Sequence, residues 1–196
     1  GDWENPFDPS DIDVWADVST PSGASLRVRG FYFEDFDRRT KGEHEILDAT
    51  GEAGWRVRFT PVEVGEHRLM FRMNDGSGEV GFAGEDVVLR ATQSSQPGFV
   101  RISAENDLAF AHDDGSMFFP TGINCGWPGV GGTYVYDRVL ADVAANGGNT
   151  VRVWLAPSFH QLCLESHPEH TAWGLRGGLG WMNQDAAWRF DHVVRA

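Results

Sequence analysis

The run Asn146-Gly147-Gly148-Asn149-Thr150-Val151-Arg152-Val153-Trp154 constrains the fold more than any other stretch, because it joins the end of a helix to a buried strand with almost no connection. Ahead of it, Tyr136 to Ala145 carries Val139, Leu140 and Val143 at helical spacing. Gly147 or Gly148 then supplies the left-handed residue that stops a helix without a Cβ clash. Thr150 to Leu155 is β-branched and apolar, as a strand covered on both faces requires. Asn183 offers a capping oxygen to a second helix, whose positions Ala186, Ala187, Trp188, Phe190, Val193 and Val194 are still helical in pattern near Ala196. Strand, helix, strand and helix with short connections open a parallel α/β fold. Two strands cannot complete such a sheet, so the sequence is expected to stop inside a domain.

The preceding residues have a different period. From Ile12 to about Thr92 short apolar runs alternate with polar residues and are punctuated by Gly, Pro, Asp and Ser, the spacing of a β-sandwich. Ile12, Val14, Ala16 and Val18 alternate with Asp and Trp; Leu26, Val28, Gly30 and Tyr32 alternate with Arg27, Arg29, Phe31 and Phe33. Trp55, Val57 and Phe59, and then His67, Leu69, Phe71 and Met73, repeat the pattern, and Val87 to Ala91 is the last strand. One buried and one wet face are expected. The polar stretch Ser94 to Gly98, with Pro97, marks a linker. After it, Phe99 to Ile102, Leu108 to Ala111 and Met117 to Phe119 read as strands, with Asp113-Asp114-Gly115 as a hairpin turn. Gly122 to Asn124 would be the first parallel strand and Thr150 to Trp154 the second. The expected architecture is therefore mixed: an all-β immunoglobulin- or fibronectin-like sandwich over 1–93, a linker over 94–98, and the incomplete beginning of an α/β array over 99–196.

A formal net charge of -13 disfavours nucleic acid and anionic membranes, whose binding requires clustered Lys and Arg. No apolar stretch approaches the length that spans a bilayer, and the first residues have neither a basic start nor an apolar core. A neutral partner fits better. Eight Trp include candidates for stacking on sugar faces, although buried Trp in a sandwich core explains such a count equally well.

Both halves resemble one family. Trp3-Glu4-Asn5-Pro6-Phe7-Asp8-Pro9, Gly30-Phe31-Tyr32 and Trp55-Arg56-Val57-Arg58-Phe59-Thr60-Pro61 resemble the N-terminal sandwich domain, of unclassified function, that precedes a catalytic barrel in many bacterial glycoside hydrolases. Phe99-Val100-Arg101-Ile102, Phe118-Phe119-Pro120-Thr121-Gly122-Ile123-Asn124 and the run from Asn146 to Trp154 are similar to the entry into that barrel, of the cellulase and mannanase type of retaining enzyme. The resemblance implies a (β/α)8, or TIM-type, barrel with its active site at the C-terminal ends of the strands, and two carboxylates on the fourth and seventh strands. Neither strand is present in this sequence, so the chain by itself is expected to be inactive and no catalytic residue is assigned. It also implies a carbohydrate partner, a polysaccharide or oligosaccharide, no cofactor, and an extracellular or periplasmic location.

Arg152 is the supporting active-site residue that the resemblance carries over. At the end of strand two an Arg orients the nucleophilic carboxylate, a task suited to a planar guanidinium that stays charged. A strand-end cap or a loop ion pair is the plainer account of it. Asn124 and Trp127 after strand one, and Trp154, Phe159, Trp173 and Trp181 in or near the loop after strand two, fall on the same expected face. Asn124, Trp127, Trp154 and Trp181 are taken as substrate-binding candidates, with core packing an equal account of each ring. Cys125 and Cys163 follow strands one and two, near enough to pair if the protein is secreted.

Other constellations are set aside. His160, Cys163, His167 and His170 are closely spaced potential metal ligands, but Pro168 interrupts the helix that would align them and no second cluster exists, so no metal is expected. Glu34 with Asp35, and Asp113 with Asp114, are adjacent residues whose side chains point apart and are rejected as catalytic pairs. Asn74 to Glu79 lacks the spacing of a calcium cage. A non-catalytic carbohydrate-binding or adhesion module is the alternative reading, and a mere spacer role for the sandwich is a third.

Overall fold

The computed structural model describes residues 3–81, 86–155, 162–165 and 180–196. Strand predominates over helix. Strands β1 (Asp13–Ser19), β2 (Ser25–Lys41), β3 (His44–Val57), β4 (Gly65–Asn74), β5 (Glu79–Gly81) and β6 (Val87–Ala91) form one hydrogen-bonded path in the order β3-β2-β1-β4-β5, with β6 also on β4. All of these pairs are antiparallel. The result is sandwich-like because β2 changes partner. Its first residues, through Arg29, pair with β1, while Gly30 to Lys41 pair with β3. At the crossover a Cβ on Gly30 would meet the Val14 carbonyl oxygen at 3.0 Å and that of Arg56 at 3.3 Å, so a residue without a side chain lets the neighbouring backbones close in.

The alternating run of β1 sets the core. Ala16 and Val18 are fully buried with Leu69, and Val28, Val57, Phe59, Phe71 and Leu89 pack around them. Ile12 and Val14 are buried too, as their period predicts. The opposite face is drier than the alternation implies: Trp15 is also buried, under the Arg27 guanidinium 4.3 Å from the ring. An Arg stem and a flat cation can cover a ring that pattern alone assigns to water.

The first three elements after the linker are β7 (Val100–Ile102), β8 (Phe110–His112) and β9 (Met117–Phe118), an antiparallel sheet turned by Asp113 to Gly115 as expected. Asp113 fastens the linker to that turn, accepting from Phe99 N at 2.8 Å and from Arg101 Nε at 2.6 Å. Next come β10 (Gly122–Asn124), α1 (Thr133–Ala145), β11 (Thr150–Arg152) and α2 (Gln184–Arg195). β10 and β11 are parallel, with Gly122 opposite Thr150 and Asn124 opposite Arg152. α1 ends as its glycines predict: Gly147, at φ 76°, donates to Ala144 O at 3.0 Å, and Gly148 donates to Val143 O at 2.8 Å. Asn149 then bonds back to Thr121 N and Phe119 O, tying the start of β11 to the approach to β10. Asn183 caps α2 by accepting from Ala186 N. A parallel sheet of two strands is not a barrel, and no partial barrel is evident among the described residues.

The β2–β3 hairpin runs far past the first sheet and docks on both helices. Its charged sequence hides this, because the partners lie about a hundred residues on. Glu45, with a fully buried side chain, accepts from Arg189 Nε on α2 at 2.5 Å and from Thr133 N on α1 at 2.9 Å, and also bonds the Thr133 hydroxyl. Beside it, Arg38 Nη1 donates to Thr133 Oγ1 and to Asp137 Oδ2, while His192 Nε2 lies 2.8 Å from Asp137 Oδ1. Arg58 pairs with Asp191, and Trp188 Nε1 donates to Asp35 at 3.0 Å. Burial is the largest influence on the Asp137 carboxyl and pushes it up, but the bonds from His192 and Arg38 outweigh it and leave it below the ordinary range.

Candidate functional site

The C-terminal ends of β10 and β11 gather most of the residues singled out from the sequence. The parallel register puts Asn124 beside Arg152, and the next residue, Cys125, donates its N–H to Arg152 O at 2.9 Å. Gly126 follows, where a Cβ would stand 3.1 Å from the Trp154 ring, so the ring rests directly on the backbone. Trp127 meets Trp154 edge to face, with centroids 5.2 Å apart. Trp127 remains 64% exposed, whereas the Trp154 indole nitrogen is buried without a hydrogen-bond partner among the described residues. The Arg152 guanidinium, 6.0 Å from the Trp154 ring centroid, makes no ion pair or hydrogen bond among the described residues. Chemically, this corner offers a planar cation, an amide and an exposed indole face.

Below it lies Tyr136, fully buried, its hydroxyl 3.4 Å from Cys125 O. Burial, with a smaller contribution from Cys125, pushes the phenol up to about 12. Burial also raises the Cys125 thiol. Cys125 and Cys163 are both free and the pairing considered for them is not made; the Cys163 thiol is directed instead to Glu165 O at 2.6 Å.

Trp181 belongs to a different assembly. It sits edge to face with Phe7 at 6.1 Å, Phe7 with Tyr32 at 6.1 Å, and Tyr32 with Trp3 and Trp55 at 5.8 Å each. Of these rings, Trp3, Phe7, Tyr32 and Trp181 border a cleft of about 600 Å³ between the N-terminal segment, β2 and the start of α2. Glu34 lines it, while Asp35 turns to Trp188, so the two adjacent carboxylates diverge as expected. Asp113 and Asp114 are likewise spent on a hairpin: the Arg101 hydrogen bond lowers the first, the Ser116 hydroxyl the second. The cleft escaped sequence reasoning because its rings come from positions 3, 7, 32 and 181. Trp3, Phe7 and Tyr32 were visible only as parts of the resembling motifs.

Phe159, Trp173, His160, His167 and His170 lie outside the described residues. Among the described residues no group of three or more His, Cys, Asp or Glu side chains could hold a metal ion. No helix described is long and apolar enough to cross a membrane.

Residues 1–74, which run through β4, match a family model described as a domain of unknown function (DUF5060). No curated protein and no solved structure matches the chain.

Proposed function

We propose that the chain is the N-terminal portion of a glycoside hydrolase acting on a polysaccharide or oligosaccharide, with the sandwich-like part leading into the first strands of a (β/α)8 barrel. The observation that carries the reading is the unit β10-α1-β11-α2 with an uncovered side. Beside β11 lies an apolar groove of about 350 Å³, lined by Leu140, Val143, Val151, Val153, Phe190 and Val193. A third parallel strand would fill such a groove, as helix-flanked parallel sheets require. Exposed Ile102, Leu108, Met117 and Phe119 on and beside the β7–β9 sheet fit the same account, since this sheet would close the bottom of the barrel. Soluble proteins rarely leave apolar surface of this kind uncovered.

In this reading the acid and the nucleophile come from the fourth and seventh strands. Arg152 would orient the nucleophile from the strand-end corner, with Asn124, Trp127 and Trp154 contacting sugar, in an extracellular or periplasmic enzyme that needs no cofactor. The test is sugar release from neutral polysaccharides by the protein expressed from the whole parent reading frame. Hydrolysis is expected, and Arg152→Lys, which keeps the charge but loses the fork, is expected to lower kcat by about 10²-fold through a misplaced nucleophile. Absence of hydrolysis on every substrate, or an unaffected Arg152→Lys enzyme, refutes it. Sugar binding without hydrolysis favours the alternative, a carbohydrate-binding or adhesion module, for which the exposed aromatic cleft speaks.

A further inference from the structure

We infer that the cleft bordered by Trp3, Phe7, Tyr32 and Trp181 is a saccharide-binding site in its own right, separate from the strand-end corner, and that it takes neutral rather than acidic chains. The inference rests on the carbohydrate reading above and gives the N-terminal part a share in binding.

Three observations carry it. The first is shape: about 600 Å³ lies within the range of small-ligand sites, roughly 300–1,000 Å³, and suffices for a few sugar rings.

The second is that its aromatic rings are held in place while still open to solvent. Trp181 is 44% exposed. The chain on either side of it is nevertheless fastened: before it, Gly180 N donates to Glu165 Oε1 at 2.9 Å and Asn5 Nδ2 donates to Gly180 O at 3.0 Å, and after it Asn183 N donates to Leu164 O at 2.7 Å. The opposing wall is fixed as firmly: Glu4 N and Asn5 N both donate to the Asp11 carboxylate, at 2.7 and 2.6 Å, and Phe7 N donates to Asn5 Oδ1. On the floor, Glu34 N donates to Gln184 Oε1 at 2.9 Å, joining β2 to α2. Hydrophobic packing alone would draw these rings together and bury them. Backbone bonds instead hold a large indole half in water, the preorganisation that lowers the ordering cost of a ligand.

The third is charge. Among the described residues Glu4, Glu34 and Asp185 line the cleft, no Lys or Arg does, and these carboxylates make no ion pair or hydrogen bond. Free carboxylate acceptors suit sugar hydroxyls, which donate, while the indole and phenol faces suit the apolar face of a pyranose ring. The same carboxylates repel a uronate chain, and the overall charge of -13 acts in the same direction.

The test is titration of the intact chain with cellohexaose, mannohexaose and xylohexaose, and with hexagalacturonate as the anionic counterpart, read by calorimetry and tryptophan fluorescence. At least one neutral hexasaccharide is expected to bind, with hexagalacturonate about tenfold weaker or absent. Trp181→Ala is expected to weaken the neutral ligand about tenfold, and Trp181→Phe, which keeps an apolar face, to recover most of that loss. Thermal melts of the variants establish that they fold. The inference is overturned if no neutral hexasaccharide binds, if hexagalacturonate binds as well as they do, or if Trp181→Ala binds like the parent chain. Loss of binding in Trp127→Ala with retention in Trp181→Ala would move the site to the strand ends, removing the cleft while leaving the hydrolase reading intact. That reading stands or falls separately, on sugar release by the whole parent protein.

Discussion

Replacing Arg189 by Met tests whether the Glu45 contact holds the two parts of the chain together. The Glu45 side chain is fully buried and that of Arg189 is 10% exposed, so the substitution strands a carboxylate in a site sealed from water. Breaking a buried ion pair from one side costs about 3–5 kcal/mol. The low end applies, about 3 kcal/mol, because Glu45 keeps its two bonds to Thr133. For a chain of this size that corresponds to a fall in Tm of about 6–12 °C. Glu45→Gln should cost less, about 1–3 kcal/mol, since the amide oxygen can still accept from Thr133 N while Arg189 loses its counter-charge. The double variant should be more stable than the sum of the singles implies, by about 1.5 kcal/mol or more, because the pair is lost only once. Urea titrations followed by far-ultraviolet circular dichroism and tryptophan fluorescence measure all four corners of this cycle. An Arg189→Met chain within about 0.5 kcal/mol of the parent, or single effects that simply add, would refute the reasoning.

Two further outcomes follow from local geometry. Gly122→Ala would place a Cβ 1.5 Å from Thr150 O, so the β10–β11 pair must separate; a loss of about 1–3 kcal/mol or more is expected, together with faster amide exchange at Cys125, whose N–H bonds Arg152 O. Asp137 sets part of the acid limb. Its folded carboxyl lies below the ordinary value, so the unfolded chain takes up the proton first; the contribution is complete above about pH 4 and is lost as pH falls through the lowered folded value. Asp137→Asn should therefore flatten stability below about pH 4, and an unchanged acid limb in urea titrations across pH 2–6 would count against the His192–Asp137–Arg38 arrangement.

The elements legible in the sequence were those whose chemistry is local. Gly147 and Gly148 end α1 by bonds to Ala144 and Val143, a few residues back, and Asn183 caps α2 within one turn, so nothing distant had to be known. The alternation of β1 was enough to find Val14, Ala16 and Val18 in the core, but not Trp15, which is dry only because Arg27 on the next strand covers it. The reach of the β2–β3 hairpin was not legible. Glu45 reads as a solvated charge until Arg189 is placed beside it, and no period within residues 33–54 signals that partner. The candidate sites divide the same way. Asn124, Arg152, Trp127 and Trp154 follow adjacent strand ends and came together. Trp181 was grouped with them by sequence proximity to the same loop, yet its ring packs on Phe7, 174 positions earlier.

The Glu45–Arg189 separation of 144 residues also has a meaning during synthesis. At about 5–20 residues per second, the ribosome delivers Arg189 roughly 7–30 s after Glu45. Over that interval the nascent hairpin can zip its ladder while its inner carboxylate lacks the Arg189 guanidinium, because α1 has been made before α2 exists to complete the contact. The N-terminal strands thus emerge first but reach their final arrangement only when α2 leaves the exit tunnel, which makes the two parts finish folding together.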